Sequence, residues 1–282
     1  MLQIALPNKG ALANDSIELI KTAGYRCQRS GRELRVRDAK NETLFYFLRP
    51  RDIATYISNG VLDLGIIGRD FLIEQQANLE EVLPLGFGVA RLCYAGPRNQ
   101  NLSPNNFAGL RIATSFRHLV SLDLAKRNIQ AEIVPLDGAV EVSIQLGVAD
   151  VIADLVQTGR TLEEAQLSMI GEPILETEAL LVGRAGILEA KTAADLFVRR
   201  LQGILLARTY VMVEYDCPRT SLKEACEVTP GIESPTIAPL SKPDWIAVKA
   251  MANRKDANRI MDDLEKLGAK GILVTDIRTC RI

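Results

Sequence analysis

Apolar positions alternate through LQIALP (residues 2–7), which predicts a short strand. Asn8, Lys9 and Gly10 then form a turn, and Leu12, Ile17, Leu19 and Ile20 fall on an approximate helical stripe. The rhythm recurs: residues 45–70, FYFLRPRDIATYISNGVLDLGIIGRD, read as strand, helix, strand, and residues 110–156 repeat the alternation. Strands separated by helices predict parallel sheets and an α/β class. Within this pattern NGVLDLGII (59–67) lies over LGVADVIAD (146–154), and upstream of each an i, i+4 apolar pair, Ile53/Ile57 and Val140/Ile144, marks a helix. Both segments read as helix, tight G-V-x-D turn, buried strand. Two similar lobes are the simplest account, although any α/β protein repeats helix-turn-strand units.

AADLFVRRLQGILLAR, with Leu196, Leu201, Ile204 and Leu205 on its apolar stripe, either closes the second lobe or returns to the first. Beyond it TYVMVEYDC is a strand, PRTSLKEACEV a helix opened by Pro218, SPTIAPL and DWIAVKAM are strands, KDANRIMDDLEKL is a helix and GILVTDIRTCRI a closing strand. That βαββαβ order is ferredoxin-like, and such a module does not name its own function. The expected organisation is α/β: two similar lobes around a cleft, periplasmic-binding-protein-like, with residues 1–90 as the first lobe, rejoined by about 184–208, residues 91–183 as the second, and residues 209–282 as a ferredoxin-like domain.

Composition narrows the function. With 282 residues, 47% of them hydrophobic, the chain can bury a sizeable core and fill more than one domain. Thirty-four basic residues against 35 acidic leave a formal charge of −1, so no general field attracts nucleic acid or an anionic membrane. The C-terminal module is likewise balanced, with 11 residues of each sign. No apolar run approaches the roughly 20 residues that span a bilayer, and MLQIALPNKG has no secretory pattern, so a cytoplasmic protein is expected. Cys27, Cys93, Cys217, Cys226 and Cys280 are odd in number, widely spaced and without a C-x-x-C pair, and are expected to be reduced. His118 is the single histidine, which excludes histidine zinc clusters; beside Arg117 it reads as a solvated or capping residue more readily than as a catalytic one.

The most informative stretch is EVSIQLGVADVIADLVQTGRTL (141–162). Its apolar strand presents Asp154 at the carboxyl end, where open parallel sheets bind ligands, and passes into Thr158, Gly159, Arg160 and Thr161. A loop with glycine at its tightest point lets backbone N–H groups reach a phosphomonoester while hydroxyls add further donors. Asp154, an acceptor, suits the vicinal hydroxyls of a ribose whose 5-phosphate occupies that loop. The bland alternative is a glycine turn with capping threonines. Lys9, in the first turn, and Arg49 and Arg51, flanking Pro50, are candidates for a second phosphate group, as is Gly68-Arg69-Asp70, the matching loop of the first lobe. Each also reads as surface charge or a plain turn.

At these residues the chain resembles the long form of the ATP phosphoribosyltransferase family. The resemblance runs through PNKGAL, FYFLRPRDIA, LDLGIIGRD, LGFG, RIAT, LDGAVE, the 141–162 segment, YDCPR, TPG, ESPTIAPL and GAKGILVTDIR, almost the whole chain. It implies transfer of phosphoribosyl from phosphoribosyl pyrophosphate to N1 of ATP, a need for Mg2+, and inhibition by histidine at the C-terminal domain of a homo-oligomer, dimer to hexamer. Asp154 and Glu141 become catalytic-cleft residues; Gln157, Thr158, Gly159, Arg160, Thr161 and Leu162 join Asp154 in the phosphoribosyl site; Lys9, Gly10, Arg49, Arg69 and Asp70 contact nucleotide or pyrophosphate; Asp216, Ile232, Ser234, Thr236 and Gly271 bind histidine. The metal ligands are left open. Ile67, Arg51 and the Phe116–Arg117 pair stand where the family usually has threonine, lysine and an aromatic-proline pair. Adenine N1 carries a free lone pair, so positioning and charge stabilisation should dominate and no single general base is needed. The rival from another class is a two-lobed small-molecule binding protein without catalysis.

Overall fold

The computed structural model describes residues 1–31 and 33–282. They form two compact units, Met1–Leu196 and Phe197–Ile282. The first unit opens with β1 (Leu2–Pro7), α1 (Ala11–Thr22), β2 (Arg35–Asp38), β3 (Thr43–Leu48), α2 (Pro50–Ser58), β4 (Leu64–Gly68), α3 (Arg69–Glu74) and β5 (Glu80–Pro84). The second lobe follows as β6 (Ala90–Pro97), β7 (Arg111–Thr114), α4 (Arg117–Lys126), β8 (Glu132–Pro135), α5 (Val142–Gln145), β9 (Val151–Val156), α6 (Arg160–Glu164) and β10 (Leu167–Thr177). Then come β11 (Ala179–Gly183), α7 (Ile187–Ala190) and α8 (Thr192–Thr209), whose residues from Phe197 on fall in the second unit, not in the first lobe as expected for 184–208.

The two sheets run β2-β3-β1-β4-β11-β5 and β10-β6-β9-β7-β8. Read from β3 and from β8 they superimpose strand for strand: two parallel neighbours of a buried central strand on one side, antiparallel partners on the other. β4 in one lobe therefore corresponds to β9 in the other, and β11 to β6. The duplicated G-V-x-D turn explains the match. Asp63 Oδ2 accepts the Gln3 N–H at the start of β1 at 2.7 Å, and Asp150 Oδ2 accepts the Arg111 N–H at the start of β7 at 2.9 Å. Each carboxylate thereby ties its central strand to the neighbouring one.

One predicted apolar pair lies on its helix, α2; the other does not, because Val140 precedes α5 (Val142–Gln145) and only Ile144 is helical. Ile53 and Ile57 of α2 close on Gly65, where a Cβ would lie 2.6 and 2.7 Å from their side chains, and burying each stabilises the lobe by about 2–3 kcal/mol. Val140 and Ile144 pack with Ala149 and Ile152 beneath the second sheet. Two further expectations need correction. β11 belongs to the first sheet, so the chain rejoins the first lobe at 179 rather than 184; its five residues are all buried and carry no periodic signal of which sheet they join. Leu196 is 37% exposed, whereas Phe197, Leu201 and Ile204 are buried on α8. The hairpin strand β2, whose RVRD shows no apolar run, was not expected from the pattern.

The second unit carries β12 (Tyr210–Pro218), α9 (Leu222–Val228), β13 (Thr236–Pro239), β14 (Trp245–Asn253), α10 (Ala257–Lys266) and β15 (Lys270–Asp276). Its antiparallel order β13-β14-β12-β15 is the ferredoxin-like arrangement anticipated from the βαββαβ rhythm. Alternate residues of β12, Val211, Val213, Tyr215 and Cys217, are buried in the core shared with Ala225, Ile260 and Leu264 of the helices. Pro218 ends β12 instead of opening the helix, and a short 3₁₀ turn, Arg219–Ser221, intervenes.

Candidate active site

Between the lobes lies a cavity of about 530 Å³. The second lobe supplies most of its chemistry. β9 is the central strand of its sheet, and Asp154 stands near its carboxyl end, with Oδ1 accepting the N–H of Leu155 at 2.8 Å. Burial pushes the Asp154 carboxyl above its ordinary range, and the nearby Glu141 charge pushes it the same way. Gln157, Thr158, Gly159, Thr161 and Leu162 continue the wall. Gly159 has φ 82°, a left-handed conformation that favours glycine, and a Cβ there would meet nothing within 4 Å. Glycine is thus demanded by the backbone while the space beside it is open, as a phosphate cradle needs.

Across the cavity Lys9 and Gly10 of the β1–α1 turn, Pro50, and Asp70 with Phe71 at the start of α3 form the opposing wall. Gly10 also has positive φ, 88°, with open space beside it. Asp70 is 3% exposed and its carboxyl is raised by burial, against the lowering effect of the Thr177 hydroxyl bond. Lys9 and Asp154, 145 residues apart, therefore face one space.

Other expected residues lie elsewhere. Arg69 is off the cavity wall: its guanidinium bonds Glu81 at 3.1 Å and pairs with Glu178 at 3.5 Å, both carboxylates holding it protonated. The Arg160 side chain turns to Glu164, one helical turn on, at 2.9 Å, in an exposed pair off the cavity wall. Arg49 is exposed at the N-terminus of α2, beside the wall residue Pro50, and Arg51 reaches Asp137 of the second lobe at 2.8 Å. His118 is outside the wall as well; its N–H and that of Leu119 donate to Glu74, and its ring meets Gln76. Of the departures from the family pattern, Ile67 is fully buried in β4 and Phe116 packs against Phe71 with ring centroids 5.7 Å apart.

Thr177, Phe71, Leu12 and Gly88 also line the cavity and were not expected from the sequence. Leu12 was visible only as a helix stripe residue. Thr177 ends a strand whose local sequence has no motif, and its partner Asp70 is 107 residues away. All five cysteines are free, and burial lifts the Cys27 thiol to about 11. Among the described residues no group of three or more His, Cys, Asp or Glu side chains is placed to hold a metal ion, and no helix is long and apolar enough to cross a membrane.

In the second unit Asp216 and Thr236 share the sheet face opposite the helices, since Asp216 pairs with Ala247, Thr236 with Lys249, and the buried alternation lies on the other face. Gly271 follows Lys270, the β15 partner of Asp216. Ile232 lines a different hollow, with Glu227, Arg259 and Asp263 of the helices. The structure brings Asp216 and Thr236 to one face and leaves Ile232 apart.

Comparisons with known proteins agree with this layout. The model of HisG, ATP phosphoribosyltransferase, matches residues 49–203, and that of the HisG C-terminal domain matches residues 207–279. The chain is 58% identical to an ATP phosphoribosyltransferase of Salinibacter ruber and 49% identical to one of Mycobacterium tuberculosis, in both cases over 283 residues and 100% of each chain. Among solved structures, a chain of the ATP phosphoribosyl transferase (HisG:HisZ) complex from Thermotoga maritima aligns with a TM-score of 0.65 at 26% identity, covering 73% of this chain and 99% of that one. The substrate binding protein of an amino acid ABC transporter aligns with a TM-score of 0.50 at 12% identity, covering 73% and 94%, a likeness of two-lobed fold alone.

Proposed function

The chain belongs to the ATP phosphoribosyltransferase family, whose reaction opens histidine biosynthesis, and from that membership we propose how its residues share the work. The second lobe holds the phosphoribosyl group. Backbone N–H groups and hydroxyls of residues 157–162 take the 5-phosphate, and Asp154 accepts hydrogen bonds from the ribose hydroxyls. Lys9, the Gly10 N–H and Asp70 form the wall facing the nucleotide and pyrophosphate, with Arg49 at its rim. The adenine N1 lone pair forms the bond to the anomeric carbon while the bond from that carbon to pyrophosphate breaks, its electron pair leaving with the pyrophosphate. Asp154 and Glu141 stabilise the positive charge that develops on the sugar.

The family's reaction needs a metal ion, and we take that ion to be magnesium. Oxygen donors suit it, and magnesium is commonly held by one or two carboxylates together with substrate phosphates, so the absence of a three-ligand cluster among the described residues is compatible with it. Glu141 and Asp154 fit that sparse donor set and would hold the ion, which would supply charge neutralisation for the pyrophosphate.

One observation carries this reading: Asp154 and the 157–162 loop share a cavity with the Lys9–Gly10 turn and Asp70 of the other lobe. The test is pyrophosphate release from phosphoribosyl pyrophosphate with ATP against other bases and nucleotides. Release with ATP alone is expected; release only with another base would reassign the nucleophile, and none at all would favour a binding protein. We further assign histidine inhibition to the second unit, with Asp216 meeting the α-amino group and Ser234 and Thr236 the α-carboxylate, in a cytoplasmic homo-oligomer of up to six chains. Histidine inhibits by binding one state of that assembly better than another. Asp216→Ala is expected to raise the histidine concentration for half-inhibition about tenfold, as loss of a charge-assisted bond does. Unchanged inhibition in that variant would remove Asp216 from the site.

A further inference from the structure

Arg69 and Asp70 are held by the segment that returns the chain from the second lobe to the first. The N–H of Arg69 donates to the Glu178 carbonyl at 3.0 Å and the N–H of Asp70 to Thr177 Oγ1 at 3.0 Å. The Thr177 hydroxyl in turn donates to Asp70 Oδ1 at 2.7 Å. Glu178 also accepts the N–H of Gly86, on the other crossover between the lobes, at 3.1 Å. Both Asp70 and Thr177 are 3% exposed, yet both reach the cavity wall. Gly68 completes the arrangement. A Cβ there would lie 2.1 Å from Asp70 Oδ1, although its φ of −75° is ordinary, so glycine is needed because the carboxylate folds back over it.

We propose that Thr177 is a positioning residue for the transfer reaction, acting through Asp70. A hydroxyl that donates to a buried carboxylate favours its charged form and fixes its rotamer, because the bond is charge-assisted and nearly free of competing water. Thr177 closes β10, the last strand of the second lobe, whereas Asp70 opens α3 in the first. Their bond makes the aim of Asp70 depend on how the two lobes are set against each other, and hinges are commonly built from such element-terminal residues. The proposal rests on the reading of Asp70 as a substrate-facing residue.

A double-mutant cycle tests it. Thr177→Val keeps the shape and removes the hydroxyl, Thr177→Ser keeps the hydroxyl, and Asp70→Asn removes the charge. Thr177→Val is expected to lower kcat/KM by about ten- to a hundredfold, mostly in kcat, and Thr177→Ser to restore it to within about threefold of wild type. The Asp70→Asn/Thr177→Val double variant should be no slower than Asp70→Asn alone. Effects that multiply, or wild-type kinetics in Thr177→Val, would overturn the positioning role while leaving Asp70 in place. Wild-type kinetics in Asp70→Asn would overturn the reading of Asp70 and the proposal with it. Melting curves accompany each variant. Should valine not be accommodated, Thr177→Ala set against Thr177→Ser is read by the same criteria.

Discussion

Asp63 and Asp150 do the same work in the two lobes, each accepting a backbone N–H from the start of the neighbouring strand and each paired with a cation, Lys191 at 2.6 Å and Arg111 at 2.9 Å. Four residues further along, the lobes part. The first has Ile67, fully buried and paired with Leu180; the second has Asp154, paired with Cys93 in the corresponding ladder. The scaffold thus accepts either residue at the end of its central strand. A carboxylate there is disfavoured by its own burial, which lifts its pKa, and nothing in the fold requires it, because the sister strand is built with isoleucine. A group kept against a stability cost is what a ligand-binding position looks like.

The largest effect should come from making the second lobe resemble the first in charge. Asp154→Asn is expected to lower kcat/KM for phosphoribosyl pyrophosphate about a hundredfold while raising Tm at neutral pH. The sign follows from linkage: with the folded pKa above the unfolded value, the ionised group costs stability above that raised pKa, and the cost vanishes as pH falls below the unfolded value. The Tm gain over wild type should therefore shrink toward zero on acidification. A lower Tm for this variant at pH 7 would show that Asp154 supports the fold rather than the ligand.

Smaller effects are expected from the shared scaffold, and they should appear in stability rather than kinetics. Asp63→Ala, at an 8% exposed site, is expected to cost about 2 kcal/mol in denaturant unfolding. Asp150→Ala should cost about 1 kcal/mol, since its side chain is 37% exposed and its ion pair is screened. The Arg111 pair holds the Asp150 carboxyl below its usual range, so its contribution is present above the ordinary carboxylate pKa and lost as pH falls through the depressed one. Equal losses at the two positions would blunt the comparison. The smallest effect belongs to the exposed Lys9: Lys9→Met should lower kcat/KM severalfold at low salt and flatten its salt dependence, and identical salt profiles would remove Lys9 from the site.

What could be read from the sequence was local. The G-V-x-D repeat, the Ile53/Ile57 pair and the strand-end aspartate before T-G-x-T each lie within a few consecutive turns of chain and appear in the structure as expected, whereas Val140 falls just before the short helix that holds Ile144. Relations across the chain were not legible. β11 enters the first sheet after the whole second lobe has been built, and five consecutive buried residues do not say which sheet receives them. Arg69 looked like a phosphate ligand because its partners are not local in the chain: Glu81 is 12 residues away and Glu178 109. Arg160 is the exception, since its partner Glu164 stands at i+4 and that pairing was readable.

The central claim, that the loop after β9 cradles the phosphoribosyl group, is tested most directly by two glycines of the same lobe. Gly147 and Gly159 both have positive φ, 67° and 82°, and both have open space where a Cβ would go, but only Gly159 lines the cavity. Valine strains the backbone at either position by about 1–3 kcal/mol, so the two variants share that cost and differ in their place relative to the cavity. Calorimetric titration with phosphoribosyl pyrophosphate should show wild-type affinity for Gly147→Val and a loss of at least about a hundredfold for Gly159→Val at comparable Tm; equal affinities in the two variants would contradict the assignment.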